Sequence, residues 1–349
     1  THSRPNMTMT ATDQGEQRDA SDVYDRQIRL WGAEAQSKIS SAQILYVHCT
    51  GVSMEVLKNL VLAGVQPAIL DGRPYPQAVS RTPSSFFPPE ERLNANANNG
   101  NGNSSNQMTV AKAIQQHVHE LNPLLKLCEI CETANLADVP NDYFHKFDVV
   151  ICSTKLTGAS QASRIAAATV EGGGKFYSAD TFGLYGVAVL DLGNEHPFRR
   201  EKGKDKLSDW EAASYPPLSE VLSKRLDGVS DRWNKTVPKL WAVYRAYLAF
   251  AKDDHGTLWP SAENAQSFIA TTKSWLCGDQ NLPSDYLGSD ADLQVLATIA
   301  DAEVSPVCAV LGGMLGQEVI KALSGKGEPA RNILMFDGTD GGCRNFFVG

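Results

Sequence analysis

Two arginines three residues apart, Arg26 and Arg29, stand in the stretch "YDRQIRLWGAEAQSKI". A guanidinium is the side chain best suited to hold phosphate or carboxylate oxygens at two points at once. On a helix both fall together, away from an apolar stripe formed by Tyr24, Ile28, Trp31, Ala35 and Ile39. A solvated or salt-bridged pair is the plain reading of such arginines. A guanidinium on a terminal helix can also reach across a subunit boundary and stabilise charge on a transferring phosphoryl group. Spacing alone leaves both readings open.

The stretch "ILYVHCTGVSMEVLKNLVLAG", residues 44–64, has the rhythm of a strand running into a helix, the unit that holds nucleotide phosphates. Such a site needs three glycines for a tight turn, close approach of backbone to phosphate, and close packing of helix on strand. His48, Thr50 and Ser53 occupy those places, and only Gly51 is left in the loop. A Cβ at each place narrows the room for a phosphate, so the turn reads as structural. Asp71 ends the next strand, where a carboxylate would accept from a ribose. Without the glycines its expected part is to cap or start a turn with Gly72.

No second His, Cys or carboxylate group lies at metal spacing from His48, which is therefore expected as a packed loop residue. Cys128 and Cys131 form a lone Cys-x-x-Cys inside a predicted strand, where they face opposite ways, and no second pair follows. Cys152 and Cys308 sit among apolar residues and read as core thiols. No Ser/His/Asp order or Cys/His pairing marks a nucleophile.

The elements that must position these residues follow from the pattern. "AQILYV", a helix from about Ser53 to Ala63 stopped by Gly64, and "PAILD" make a right-handed βαβ unit. A helix "TVAKAIQQHVHEL", strands "LLKLCEI" and "DVVICS", a helix around "ASRIAAATVEG", and strands "KFYSAD" and "YGVAVLDL" continue the alternation. The last two are also compatible with an edge hairpin through "TFGL". "VSPVCAVLGGMLGQEVIKALSG" reads as a helix started by Pro306 and stopped by Gly325, and "NILMFD" as a closing strand. The fold class is α/β and Rossmann-like: a mostly parallel sheet with helices on both faces, interrupted by a helical insertion. The expected divisions are a disordered tail at 1–21, the first part of the core at 22–194 with a flexible Asn/Gly-rich loop at 94–106, the insertion at 195–300, and the rest of the core at 301–349.

A net charge of −8 and a pI near 5.4 exclude the basic face that a nucleic-acid partner calls for. No apolar run of roughly 20 residues stands out as a bilayer span, so no membrane partner is expected. Seven cysteines, an odd number over a long chain, suit free thiols in a reducing compartment.

On "YDRQIRLWGAEAQSKI", "VLKNLVLAGV" and "VSPVCAVLGGMLGQEVIKAL", the chain resembles the activating enzymes of ubiquitin and ubiquitin-like proteins over about residues 22–340. Its short length, terminal "FDG" and degenerate loop resemble the regulatory half of the heterodimeric members; the SUMO-activating pair is the nearest branch and the NEDD8-activating pair the rival. The resemblance implies two related adenylation halves, of which only one keeps a working ATP site. It implies ATP and magnesium bound mainly by a larger catalytic subunit and none by this chain alone, with SUMO and a SUMO-conjugating enzyme as further partners, and nuclear residence with the cytoplasm second. In the working half a carboxylate near the end of the fourth strand helps hold magnesium, and here "DVVICSTK" places Thr154 there. Arg26 matches the arginine that the idle half sends toward the γ-phosphate of its partner's ATP; Arg29 is a weaker match, and the cysteine that accepts the modifier falls to the partner. The competing expectations are a self-sufficient Rossmann oxidoreductase or adenylating enzyme, and a scaffold without a part in ATP turnover.

Overall fold

The computed structural model describes residues 23–75, 87, 108–125, 128–203, 206–229, 238–252 and 259–349. The expected tail at 1–21 and loop at 94–106 lie outside the described residues.

The N-terminal segment forms two helices rather than one, α1 (Asp25–Trp31) and α2 (Ala33–Ser41). Gly32 separates them with φ 88° and ψ 158°, a backbone state that a side chain resists. The apolar stripe survives the break: Tyr24, Ala35 and Ile39 are buried, Ile28 and Trp31 half-buried. Then come β1 (Gln43–Val47), α3 (Gly51–Leu62) and β2 (Gln66–Leu70). Helix α3 starts two residues earlier than its apolar rhythm suggests, because Thr50 and Ser53 form a reciprocal capping box that satisfies two free N–H groups.

The chain continues through α4 (Val110–Leu121), a short β3 (Glu129–Cys131), β4 (Val149–Cys152), α5 (Thr154–Thr157), α6 (Ala159–Glu171), β5 (Lys175–Phe182) and β6 (Tyr185–Asp191). The order in the main sheet is β10-β9-β6-β5-β4-β1-β2-β3, with β9 (Ile333–Asp337) and β10 (Gly342–Phe346) from the C-terminus. The pairs from β3 to β5 are parallel, and β5–β6, β6–β9 and β9–β10 are antiparallel. The last two strands of the first part are thus the hairpin alternative, turning at Gly183 and Leu184 between Phe182 and Tyr185.

Side chains along β1 and β4 alternate between two cores. Ile44, Tyr46, Val149 and Ile151 face one with α3, α4 and α11 (Ser305–Ser324); Leu45, Val47, Val150 and Cys152 face the other. Burial on both sides explains why these strands read as unbroken apolar runs. The second face is covered by α6 together with the segment expected as a helical insertion. That segment holds α7 (Leu218–Ser223), α8 (Lys239–Ala251), α9 (Ala265–Gly278) and α10 (Asp290–Ile299), and also a two-stranded sheet of β7 (His196–Phe198) and β8 (Glu211–Ala213). Tyr244 of α8 ties it to the sheet by donating to Asp180 Oδ2 at 2.7 Å.

Helix α11 is long and apolar enough to cross a bilayer by length and composition, contrary to the expectation from the sequence, but it packs as a core helix. A Cβ on Gly312 would stand 2.6 Å from Glu55 Cβ and 3.1 Å from the Val52 carbonyl of α3, whereas one on Gly313 would meet nothing within 4 Å. Gly312→Ala is therefore expected to destabilise the protein by about 1–3 kcal/mol through overpacking. Gly313→Ala should stabilise it by up to about 1 kcal/mol through helix propensity. Urea unfolding of the two variants checks the opposite signs.

Candidate functional site

In open α/β sheets ligands sit beyond the C-terminal ends of the strands, where neighbouring crossovers leave in opposite directions. Here that place lies between β1 and β4, since β1 leads to α3 on one face and β4 to α5 and α6 on the other. Residues 48–51 and 153–157 line its two sides. His48 turns the chain with φ 51°, and its buried Nδ1 lies 3.2 Å from Thr157 Oγ1, so a hydrogen bond spans the crevice.

Four of the N–H groups at this turn have an acceptor from the chain itself. Cys49 N–H donates to Asp71 Oδ2 at 2.8 Å, and Thr50 N–H to Ser53 Oγ at 2.7 Å. Gly51 N–H donates to Glu303 Oε2 at 2.9 Å, and Ser53 N–H to Thr50 Oγ1 at 3.4 Å. A buried carboxylate thus stands at the positive end of α3, the place an anionic ligand takes in this kind of turn.

Asp71, fully buried, turns the chain at Gly72 by accepting from Arg73 N–H at 3.2 Å. It does more than that turn requires. The Arg73 guanidinium grips it through Nε at 2.9 Å and Nη2 at 2.7 Å, and Nη2 also donates to the Cys49 carbonyl at 2.8 Å. Burial works to raise the Asp71 carboxyl, and the Arg73 charge and hydrogen bonds outweigh it, holding the group below the ordinary carboxylate range. Both carboxylate oxygens are committed, and none is turned to a ribose. Thr154 is buried and shares a hydrogen bond with Ser178 Oγ. A nucleotide seated over this turn would have to displace Glu303, part His48 from Thr157 and release Asp71 from Arg73; the residues present do not fit one.

The arginines of α1 differ from each other. Arg29 is bound to Asp25 one turn back, with Nε to Oδ1 at 3.1 Å and Nη2 to Oδ2 at 2.9 Å. Arg26 is exposed and makes no hydrogen bond or ion pair among the described residues. The helix buries none of its residues.

All seven cysteines are free, and none is a ready nucleophile by environment in the core. Burial pushes the Cys128, Cys152 and Cys308 thiols up to about 12. Cys128 and Cys131 pack toward opposite cores, as their spacing requires. Among the described residues no group of three His, Cys, Asp or Glu is placed to hold a metal ion.

Glu303 and Arg73 were not legible as site residues, because neither stands in the glycine loop or at a motif position. One local signal existed for Arg73, an arginine two residues after a strand-ending aspartate.

The mostly parallel α/β core defines a class, and the chain belongs to the ThiF family, which matches residues 94–348. Similar proteins include SUMO-activating enzyme subunit 1 from several organisms. That of Xenopus tropicalis is 31% identical over 346 residues, covering 90% of this chain and 92% of the relative. Subunit 1B-1 of Arabidopsis thaliana is 30% identical over 320 residues, covering 91% and 93%, and the Danio rerio protein is 29% identical over 343 residues, covering 91% and 92%.

Burial holds the His48 imidazole neutral and lowers its pKa to about 4. The unfolded chain binds that proton near pH 6.5, so stability is lost as pH falls from 6.5 through about 4, by up to about 3 kcal/mol. His48→Asn keeps a residue tolerant of the left-handed turn and removes the titration. The fall in urea midpoint between pH 7 and pH 4.5 should be smaller in this variant than in the unmodified protein.

Proposed function

We propose that this chain is the non-catalytic subunit of a two-subunit SUMO-activating enzyme, and that it completes an ATP site held by its larger partner. The observation that carries the reading is the Glu303 carboxylate on the Gly51 N–H, which leaves the α3 terminus already served by an anion of the chain itself. ATP and magnesium then belong mainly to the partner, together with the cysteine that accepts SUMO, and the SUMO-conjugating enzyme meets the assembled pair. The names of the relatives support SUMO as the modifier over NEDD8. The engaged Asp71 argues against a self-sufficient oxidoreductase, which would need that carboxylate for a ribose.

What this chain supplies is Arg26. The SUMO C-terminal carboxylate attacks the α-phosphorus, the bond to the bridging oxygen breaks, and pyrophosphate leaves carrying the negative charge. A guanidinium held at the β/γ end orients the triphosphate and offsets charge on the leaving group. Arg26 has no partner among the described residues and is available to do so, whereas Arg29 is occupied by Asp25; the second arginine holds the first turn of the helix rather than a phosphate.

In the reconstituted pair, Arg26→Ala should slow SUMO-dependent ATP:pyrophosphate exchange by about 10³-fold, the low end of the range for arginines supplied in trans. Arg29→Ala should change it only slightly. The isolated chain should give no heat of binding with ATP at micromolar concentration in calorimetry. Exchange that survives Arg26→Ala intact, or ATP binding by the chain alone, would overturn the reading.

A further inference from the structure

Helix α1 carries Arg26 on an arm with no buried residue of its own. The direction of the guanidinium therefore depends on what fixes the two ends of the helix. Tyr24, just before the first turn, is buried, and its ring fills a notch that only glycine leaves open. Gly64 has φ +98°, and a Cβ there would stand 2.9 Å from Tyr24 Cζ and 3.0 Å from its hydroxyl. The hydroxyl accepts from Asn122 Nδ2 at 2.8 Å, and the same nitrogen donates its other hydrogen to the Val61 carbonyl at 2.8 Å. The Tyr24 carbonyl in turn accepts from Ile28 N–H at 2.8 Å, which starts the helix. At the far end Trp31 Nε1 donates to Gln36 Oε1 at 2.8 Å, and the Lys326 ammonium donates to the Trp31 carbonyl. The arm exposes Arg26, Arg29 and Leu30, rests on the half-buried Ile28 and Trp31, and is pinned at both ends.

We propose that the Tyr24–Asn122 hydrogen bond, seated in the Gly64 notch, is the positioning device for Arg26. It fixes the height and rotation of α1 from a residue two places before the arginine, so the guanidinium is held before the triphosphate arrives. A preset group stabilises developing charge without reorganising during the reaction, and misplacement of about 1 Å can cost up to 10²-fold in rate. Tyr24 and Asn122 touch no substrate in this scheme; they act through Arg26. The inference rests on the role proposed above for Arg26.

The test is a double-mutant cycle in the reconstituted two-subunit enzyme, read as ATP:pyrophosphate exchange with SUMO present. The variants are Tyr24→Phe, Arg26→Ala and the two combined, with Gly64→Ala as a second way of displacing the ring. Thermal unfolding and co-elution with the larger subunit report whether each variant is folded and paired. Tyr24→Phe is expected to lower the maximal exchange rate about tenfold. In the Arg26→Ala background the same substitution should change the rate less than about twofold, since the group it positions is gone. Gly64→Ala should give the same pattern. If Arg26→Ala slows exchange and Tyr24→Phe does not, the positioning role fails and the role of Arg26 stands. If the Tyr24→Phe loss persists undiminished without Arg26, the contact serves folding or pairing alone and the inference fails. An Arg26→Ala enzyme with full exchange would overturn both.

Discussion

The first turn of any α-helix presents N–H groups without partners inside the helix, and a partial positive charge with them. In α3 that requirement meets the buried carboxylate of Glu303 on the Gly51 N–H. Much else follows from the contact. Glu303 lies just ahead of α11, so the bond that completes the start of α3 also brings α11 alongside it, where Gly312 permits the close approach. Val307, Leu311, Leu315 and Val319 of α11 then fill the core on that face of the sheet. Taking Glu303 away would leave a buried donor without an acceptor, which costs about 1–3 kcal/mol before any loss of packing is counted.

The same logic extends to the rest of the crevice. The buried Asp71 and the half-buried Arg73 form an ion pair, and removing the arginine would strand the carboxylate. His48 and Thr157 close the gap between the two crossovers. The fold therefore keeps the frame of a nucleotide-binding sheet while its polar groups bind one another. The arm with Arg26 is the opposite case, a charge with no partner among the described residues, carried on a helix that buries none of its residues fully and reaches the core only through the half-buried Trp31. Closed crevice and open arm are the two features on which the proposed function rests.

Much of this was readable in the sequence wherever the cause is local. Pro306 and Gly325 mark the ends of α11, and the apolar runs at β1 and β4 correspond to strands buried on both faces. The missing glycines at His48, Thr50 and Ser53 were visible as a loss. What replaced the phosphate was not, because Glu303 stands 252 residues from Gly51 and no local period links them. The helix break at Gly32 was hidden for a different reason: the apolar stripe continues through it, so periodicity alone joined α1 to α2. That Arg29 is bound while Arg26 has no partner among the described residues was also beyond spacing, since the difference lies in one carboxylate, Asp25, a single turn before the second arginine.

The 252-residue separation also has a consequence in time. A ribosome adding roughly 5–20 residues per second needs about 13 to 50 seconds to pass from the first partner to the second. Throughout that interval the newborn N-terminal half carries its α3 terminus without the acid that will seal it. Synthesis of this chain thus includes a stage at which the Gly51 N–H has no carboxylate to meet, and the contact that joins α3 to α11 can form only once the Glu303 segment has been made.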